Sequence, residues 1–159
     1  MTLARGEGLT IGPVSYVVVS SEPRTLETAL AMGFAVDQIT HLEPPILTGS
    51  VVFHEWWNWT NPFAEFRRRI ETSTALAHYA RRQQAILASV ANHVDDDETA
   101  LVIGHGGWIE PVLVTCLPDD DVWAWGGPFR HLEGARLQRN GNQWSLVSLH
   151  RIRGAREDP

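Results

Sequence analysis

The chain has 159 residues, 43% hydrophobic and 20% charged, which is enough apolar mass for one domain with a real core and excludes an intrinsically disordered chain. Lys and Arg number 13 against 19 Asp and Glu, for a net charge of −6. That field disfavours nucleic acid and membrane surfaces as partners but leaves a small phosphate open, because a local pair of cations dominates a pocket.

The lone cysteine, Cys116, excludes an internal disulfide and fits a reducing compartment. No stretch approaches the ~20 apolar residues of a membrane span, and residues 1–7 hold no apolar signal core, so a cytoplasmic protein is expected. In chain order, Tyr16-Val17-Val18-Val19 is a short β-branched run that reads as a buried strand ending in Ser20-Ser21. Glu22-Pro23 opens a helix with proline in its first turn. Leu26, Ala29, Leu30 and Met32 supply its apolar face, and Gly33 closes it. Residues 37–62 read as irregular and carry Trp56, Trp57 and Trp59.

Asn61-Pro62 then begins a long helical region. Phe63, Phe66, Ile70, Leu76, Ala80, Gln83, Leu87 and Val90 recur at three-to-four spacing, with a break expected near Thr72–Thr74. Asp95-Asp96-Asp97 is a solvated turn. Leu101-Val102-Ile103 is a second buried strand, followed by Gly104-His105-Gly106-Gly107 and a helix over Trp108–Leu117 that tolerates Pro111 in its first turn. Asn140-Gly141, between Ala135–Arg139 and Gln143–His150, signals a hairpin. The expected organisation is a single domain over residues 1–150 and a tail over 151–159. The expected class is α/β, a three-layer sandwich with a mostly parallel sheet and helices on both faces.

Ligands in such folds sit outside the carboxyl ends of the strands, which makes the two polar strand-end turns neighbours. Ser20-Ser21-Glu22-Pro23-Arg24-Thr25 puts Arg24 in the first turn of a helix, where a guanidinium and a helix N-terminus grip phosphate oxygens together. His105 sits at the other strand end, before Gly106 and Gly107, which let a ligand approach the backbone. The bland alternatives are an ordinary surface arginine and a satisfied structural histidine.

Together, Ser20-Ser21-Glu22-Pro23-Arg24-Thr25-Leu26-Glu27-Thr28 and Leu101-Val102-Ile103-Gly104-His105-Gly106-Gly107 resemble the second and third signature segments of the histidine phosphatase superfamily, the phosphoglycerate-mutase-like enzymes. The resemblance runs from about Val14 to Leu149. It implies a phosphate-monoester hydrolase or mutase-like phosphoryl transfer, with Arg24, His105 and Gly106 binding phosphate and His105 stabilising the phosphoryl group. It implies no cofactor and no metal. The ligand would be a small phosphorylated substrate or inorganic phosphate, and a homodimer is compatible with it. In that family a neutral imidazole attacks phosphorus, cationic donors hold the equatorial oxygens, and a carboxylic acid protonates the leaving alkoxide.

The family's nucleophile lies in an Arg-His-Gly, and no such tripeptide occurs here. Residues 3–12 read as the end of the crossover helix that follows it. The expectation is a sheet lacking the family's first central strand, with roughly 25–40 residues absent upstream. Without the nucleophile the covalent route fails in this form. The acid is assigned first to Glu55, in His54-Glu55-Trp56-Trp57, where indole rings would raise its pKa, and second to Glu110.

His41, His78, His93 and His150 read as structural or exposed, and His131 as a weak pocket candidate. His54-Glu55 lacks the second histidine of a zincin motif, because Asn58 occupies that position. An α/β-hydrolase reading fails because Gly106 stands where its nucleophilic serine would be. The serious rival is a non-catalytic module of the same fold that binds a phosphorylated ligand or serves as an interaction surface.

Overall fold

The computed structural model describes residues 2–42, 44 and 53–152, the side chains of residues 2 and 53–55 excepted. Helix α1 (Thr2–Ile11) precedes strand β1 (Tyr16–Ser20), helix α2 (Pro23–Met32) and the short strand β2 (Gln38–Thr40). A 3-10 turn over Phe53–Asn58 leads to α3 (Pro62–Thr72) and α4 (Thr74–Ala91). Then come β3 (Ala100–Ile103), α5 (Ile109–Cys116), a 3-10 turn over Val122–Trp125, and the hairpin of β4 (Gly134–Asn140) and β5 (Gln143–His150).

The strands β2, β1 and β3 form a parallel sheet in that order, with Val17 beside Leu101 and Val19 beside Ile103. Alternation along the strands divides the core between two faces. Val17, Val19, Leu101 and Ile103 point to the α2 side and pack with Ala29. Val102 points the other way, into a larger core that holds Phe63 and Phe66 of α3 and Val112 and Leu113 of α5. Phe63 and Phe66 are fully buried, each contributing about 1.5–3 kcal/mol of burial. Helices therefore cover both faces of a parallel α/β sheet, the layering expected from the sequence. The hairpin forms a separate antiparallel sheet. Among the described residues β3 pairs only with β1, so its far edge is open.

Local chemistry explains the element ends. Pro23 occupies the first turn of α2 and Gly33 closes it. The long helical region breaks at Ser73, which takes extended dihedrals and caps α4 by accepting from Leu76 N. Asn61 caps α3 by accepting from Ala64 N at 2.9 Å. Two features differ from the sequence reading. The segment read as irregular holds β2, three residues paired beside β1, and the 3-10 turn over Phe53–Asn58. The hairpin turn is Gly141-Asn142 rather than Asn140-Gly141: Asn140 pairs with Gln143, and Gly141 takes φ +60°. A glycine with positive φ at the first turn position matches the twist of the flanking strands.

Arg151, at the start of the segment read as a tail, is tied down. Its guanidinium donates to the carbonyls of Trp125, Gly127 and Pro128 and pairs with Glu133 at 2.9 Å. It also lies over the Phe129 ring, 4.3 Å from the centroid. No helix among the described residues is long and apolar enough to cross a membrane.

Candidate active site

The register of β1 on β3 sets Val19 beside Ile103, so the turns after Ser20 and Ile103 open at the same carboxyl end of the sheet. The chain brings Arg24 and His105 into contact there. Arg24 Nε donates to His105 Nδ1 at 3.2 Å. A guanidinium N–H has no acceptor role, so Nδ1 is the acceptor and the ring proton sits on Nε2. That N–H donates to Ser20 Oγ at 2.6 Å.

The remaining protons then find places without conflict. Glu22 N–H donates to Ser20 Oγ at 3.2 Å, Ser20 O–H donates to Thr25 Oγ1 at 3.1 Å, and Thr25 O–H donates to the Glu22 carbonyl at 2.7 Å. Ser20 and Thr25 are both 3% exposed and His105 is 9% exposed, so this relay is shielded from water and fixes the imidazole's orientation. Burial is the main force holding the His105 pKa below its ordinary value. Arg24 lowers it further, and Glu22 opposes both. The imidazole is neutral at pH 7.

Arg24 itself is exposed, and none of its described hydrogen bonds uses its Nη groups. Gly106 is exposed, and its N–H has no described partner. These donors stand beside a buried histidine where α2 and α5 both begin, an arrangement suited to an anion.

The turn must be glycine. A β-carbon on Gly106 would lie 2.7 Å from Cζ2 and Cη2 of Trp56. Gly107 has φ +78°, and a β-carbon there would lie 3.3 Å from Trp56 Nε1.

Glu110 lies beneath this turn rather than in the pocket. It is fully buried. Its Oε2 accepts from Gly107 N at 2.7 Å and its Oε1 from Phe129 N at 3.4 Å. Burial pushes its pKa up, partly offset by those N–H donors and by Arg151. With both oxygens occupied inside the core, Glu110 braces the glycine turn against the loop at Phe129. Glu55 falls in the 3-10 turn over Phe53–Asn58, and its side chain lies outside the described residues.

His131 is exposed. His93 stacks on Tyr16 with centroids 4.5 Å apart, and His150 pairs with Glu7 at 2.6 Å. Among the described residues no cluster of three or more His, Cys, Asp or Glu is arranged to hold a metal ion. Burial pushes the Cys116 thiol up to about 12, which leaves it unreactive.

Sequence reasoning missed Ser20 as the partner of His105 and Thr25 as the partner of Ser20, and Trp56 as the wall of the glycine turn. The available signal for the first pair was two hydroxyl residues flanking Arg24 at the end of a fully apolar strand. No signal linked Trp56 to residues 50 positions away.

The mixed α/β architecture is shared with two solved structures. The chain is similar to the crystal structure of phosphoserine phosphatase from Entamoeba histolytica in complex with 3-phosphoglyceric acid. The TM-score is 0.67 and the identity 16%, over 96% of this chain and 82% of that one. It is also similar to the structure of the open reading frame Rv3214 protein from Mycobacterium tuberculosis, with a TM-score of 0.57 and 18% identity over 94% of this chain and 80% of that one. At these identities the likeness is one of fold. No family model and no curated protein matches the chain.

Proposed function

We propose that the turns at Arg24 and His105 form a phosphate-monoester site of the histidine phosphatase kind, serving hydrolysis or mutase-like transfer of a small phosphorylated substrate. The observation that carries this reading is the direct contact of the Arg24 guanidinium with a buried, neutral His105 at the carboxyl ends of two parallel strands. The fold likeness to a phosphoserine phosphatase structure holding 3-phosphoglyceric acid supports it.

In this reading the Nη groups of Arg24 and the Gly106 N–H take the equatorial oxygens, where transition-state charge gathers. His105 Nδ1 is an acceptor in the free protein, so an arriving dianion displaces Arg24 Nε and stabilises on Nδ1 a proton taken up from solvent. The imidazolium then donates to the phosphoryl group while Ser20 holds Nε2. Glu55 remains the proposed acid; Glu110 serves as a brace. The reading extends to one domain through residue 150, a cytoplasmic location and a protein able to form a homodimer.

A second reading, binding without turnover, is favoured by one observation. Both ring nitrogens of His105 are engaged, Nε2 with Ser20 and Nδ1 with Arg24, so the imidazole of the free protein has no lone pair open for attack on phosphorus.

Incubation with a generic phosphomonoester separates the two. Turnover abolished by His105→Ala supports hydrolysis. No turnover, with phosphate at 100 times its Kd stabilising the fold by about 2.7 kcal/mol in a manner lost in Arg24→Ala, supports binding alone. Absence of both effects would overturn both readings.

A further inference from the structure

Trp56 lies directly on the glycine turn. The Cζ2–Cη2 edge of its indole abuts Gly106 so closely that no β-carbon fits, and Nε1 lies over Gly107. The neighbouring surface is also apolar. Pro44 Cβ comes within 3.7 Å of where a β-carbon on Gly107 would sit. Trp57 packs edge-on against Trp56 with centroids 6.2 Å apart and is 53% exposed. Phe66 backs the Trp56 ring at 6.3 Å and is itself buried in the core, which holds the indole in place.

The charges are arranged differently. Among the described contacts, the one cation on His105 is Arg24, and the other charged group acting on the imidazole is Glu22, an anion. A phosphate bound through Gly106 N–H would therefore have an indole edge within van der Waals reach.

From this arrangement we propose that Trp56 is a specificity-determining residue of the pocket, selecting phosphomonoesters whose ester group is flat and apolar, such as an aryl group, over those carrying a carboxylate. The inference rests on the phosphate-site reading above and names the substrate class for it. A flat apolar group beside the phosphate gains contact with Trp56 and the exposed Trp57. A carboxylate there meets indole and proline, with Glu22 nearby and no second cation among the described contacts.

The test is calorimetric titration of the full chain with inorganic phosphate, phenyl phosphate and 3-phosphoglycerate. Phenyl phosphate is expected to bind about tenfold tighter than inorganic phosphate, the scale of one aromatic contact, and tighter than 3-phosphoglycerate. That advantage should disappear in Trp56→Ala and survive in Trp56→Phe, while Arg24→Ala weakens all three ligands together. Equal affinities for phenyl phosphate and inorganic phosphate in the wild-type protein would overturn the inference while leaving the phosphate site standing, and this ranking needs no variant to fold. An aryl advantage that persists in a folded Trp56→Ala, or 3-phosphoglycerate binding as tightly as phenyl phosphate, would overturn it too. Failure of inorganic phosphate itself to bind would remove the site and the inference together.

Discussion

Replacing Ser20 with alanine tests the relay that fixes His105. The hydroxyl oxygen accepts from His105 Nε2–H at 2.6 Å and from Glu22 N–H at 3.2 Å, and it donates to Thr25. Glu22 is exposed, so water replaces the lost acceptor at its amide. Thr25 keeps the carbonyls of Ser20 and Glu22 as partners for its own proton. His105 Nε2–H has no such substitute: the ring is 9% exposed, and Arg24 Nε occupies the other nitrogen. One buried donor is left without an acceptor, at a cost of about 1–3 kcal/mol. For a domain of this size each kcal/mol lowers Tm by about 2–4 °C. Urea denaturation measures the loss, and the 15N shifts of the imidazole report the tautomer. A stability change under about 0.5 kcal/mol, within the usual range of neutral surface substitutions, with unchanged imidazole shifts, would refute the assignment of Nε2–H to Ser20.

Three further outcomes are expected. Because the folded pKa of His105 lies below its ordinary 6.5, the unfolded chain takes up that proton first as pH falls. Stability relative to His105→Gln should stay flat above about pH 7 and move against the wild type as pH drops from 6.5 through the folded value, which denaturation curves across that window will show. Glu110→Ala strips the acceptor from the buried Gly107 and Phe129 amides, so its denaturation midpoint should report a loss of about 2–5 kcal/mol, whereas Glu110→Gln, keeping volume and one acceptor oxygen, should lose less. Asn61→Ala removes the α3 cap and the tie from Nδ2 to the Val122 carbonyl and should cost about 1–2 kcal/mol by thermal unfolding.

The two long-range strands were legible in the sequence because each is an unbroken apolar run with a polar turn at its end. Val17, Val18 and Val19 are buried as that run implies, whereas Leu101, Val102 and Ile103, expected to be buried as well, are half-buried. The helix break at Ser73 was legible from length, because about 30 residues is long for a single helix; its capping by the Ser73 hydroxyl was not. By contrast, Gln38-Ile39-Thr40 carries no such signal: its first two residues are exposed, and it is a strand only because β1 offers it an edge.

The site divides in the same way. Arg24 and His105 stood out because strand-end turns with these residue types are readable locally. The proton relay through Ser20 and the indole wall at Trp56 depend on side chains meeting across the fold, which no local pattern encodes. Glu110 shows the converse. A carboxylate in the first turn of a helix after a glycine turn reads as a catalytic candidate, and only its burial reveals a structural use.

Among the described residues, the histidine of the site follows an edge strand of its sheet, β3, whereas Ser20 ends the central one. A strand with neighbours on one side only exposes a row of amides and carbonyls to solvent or to other chains, and such elements open at lower free energy than their enclosed neighbours. Deuterium should therefore enter β3 well before β1. Each opening slackens the mooring of the imidazole while Ser20 and Thr25 stay put, so the two halves of the pocket differ in mechanical stiffness.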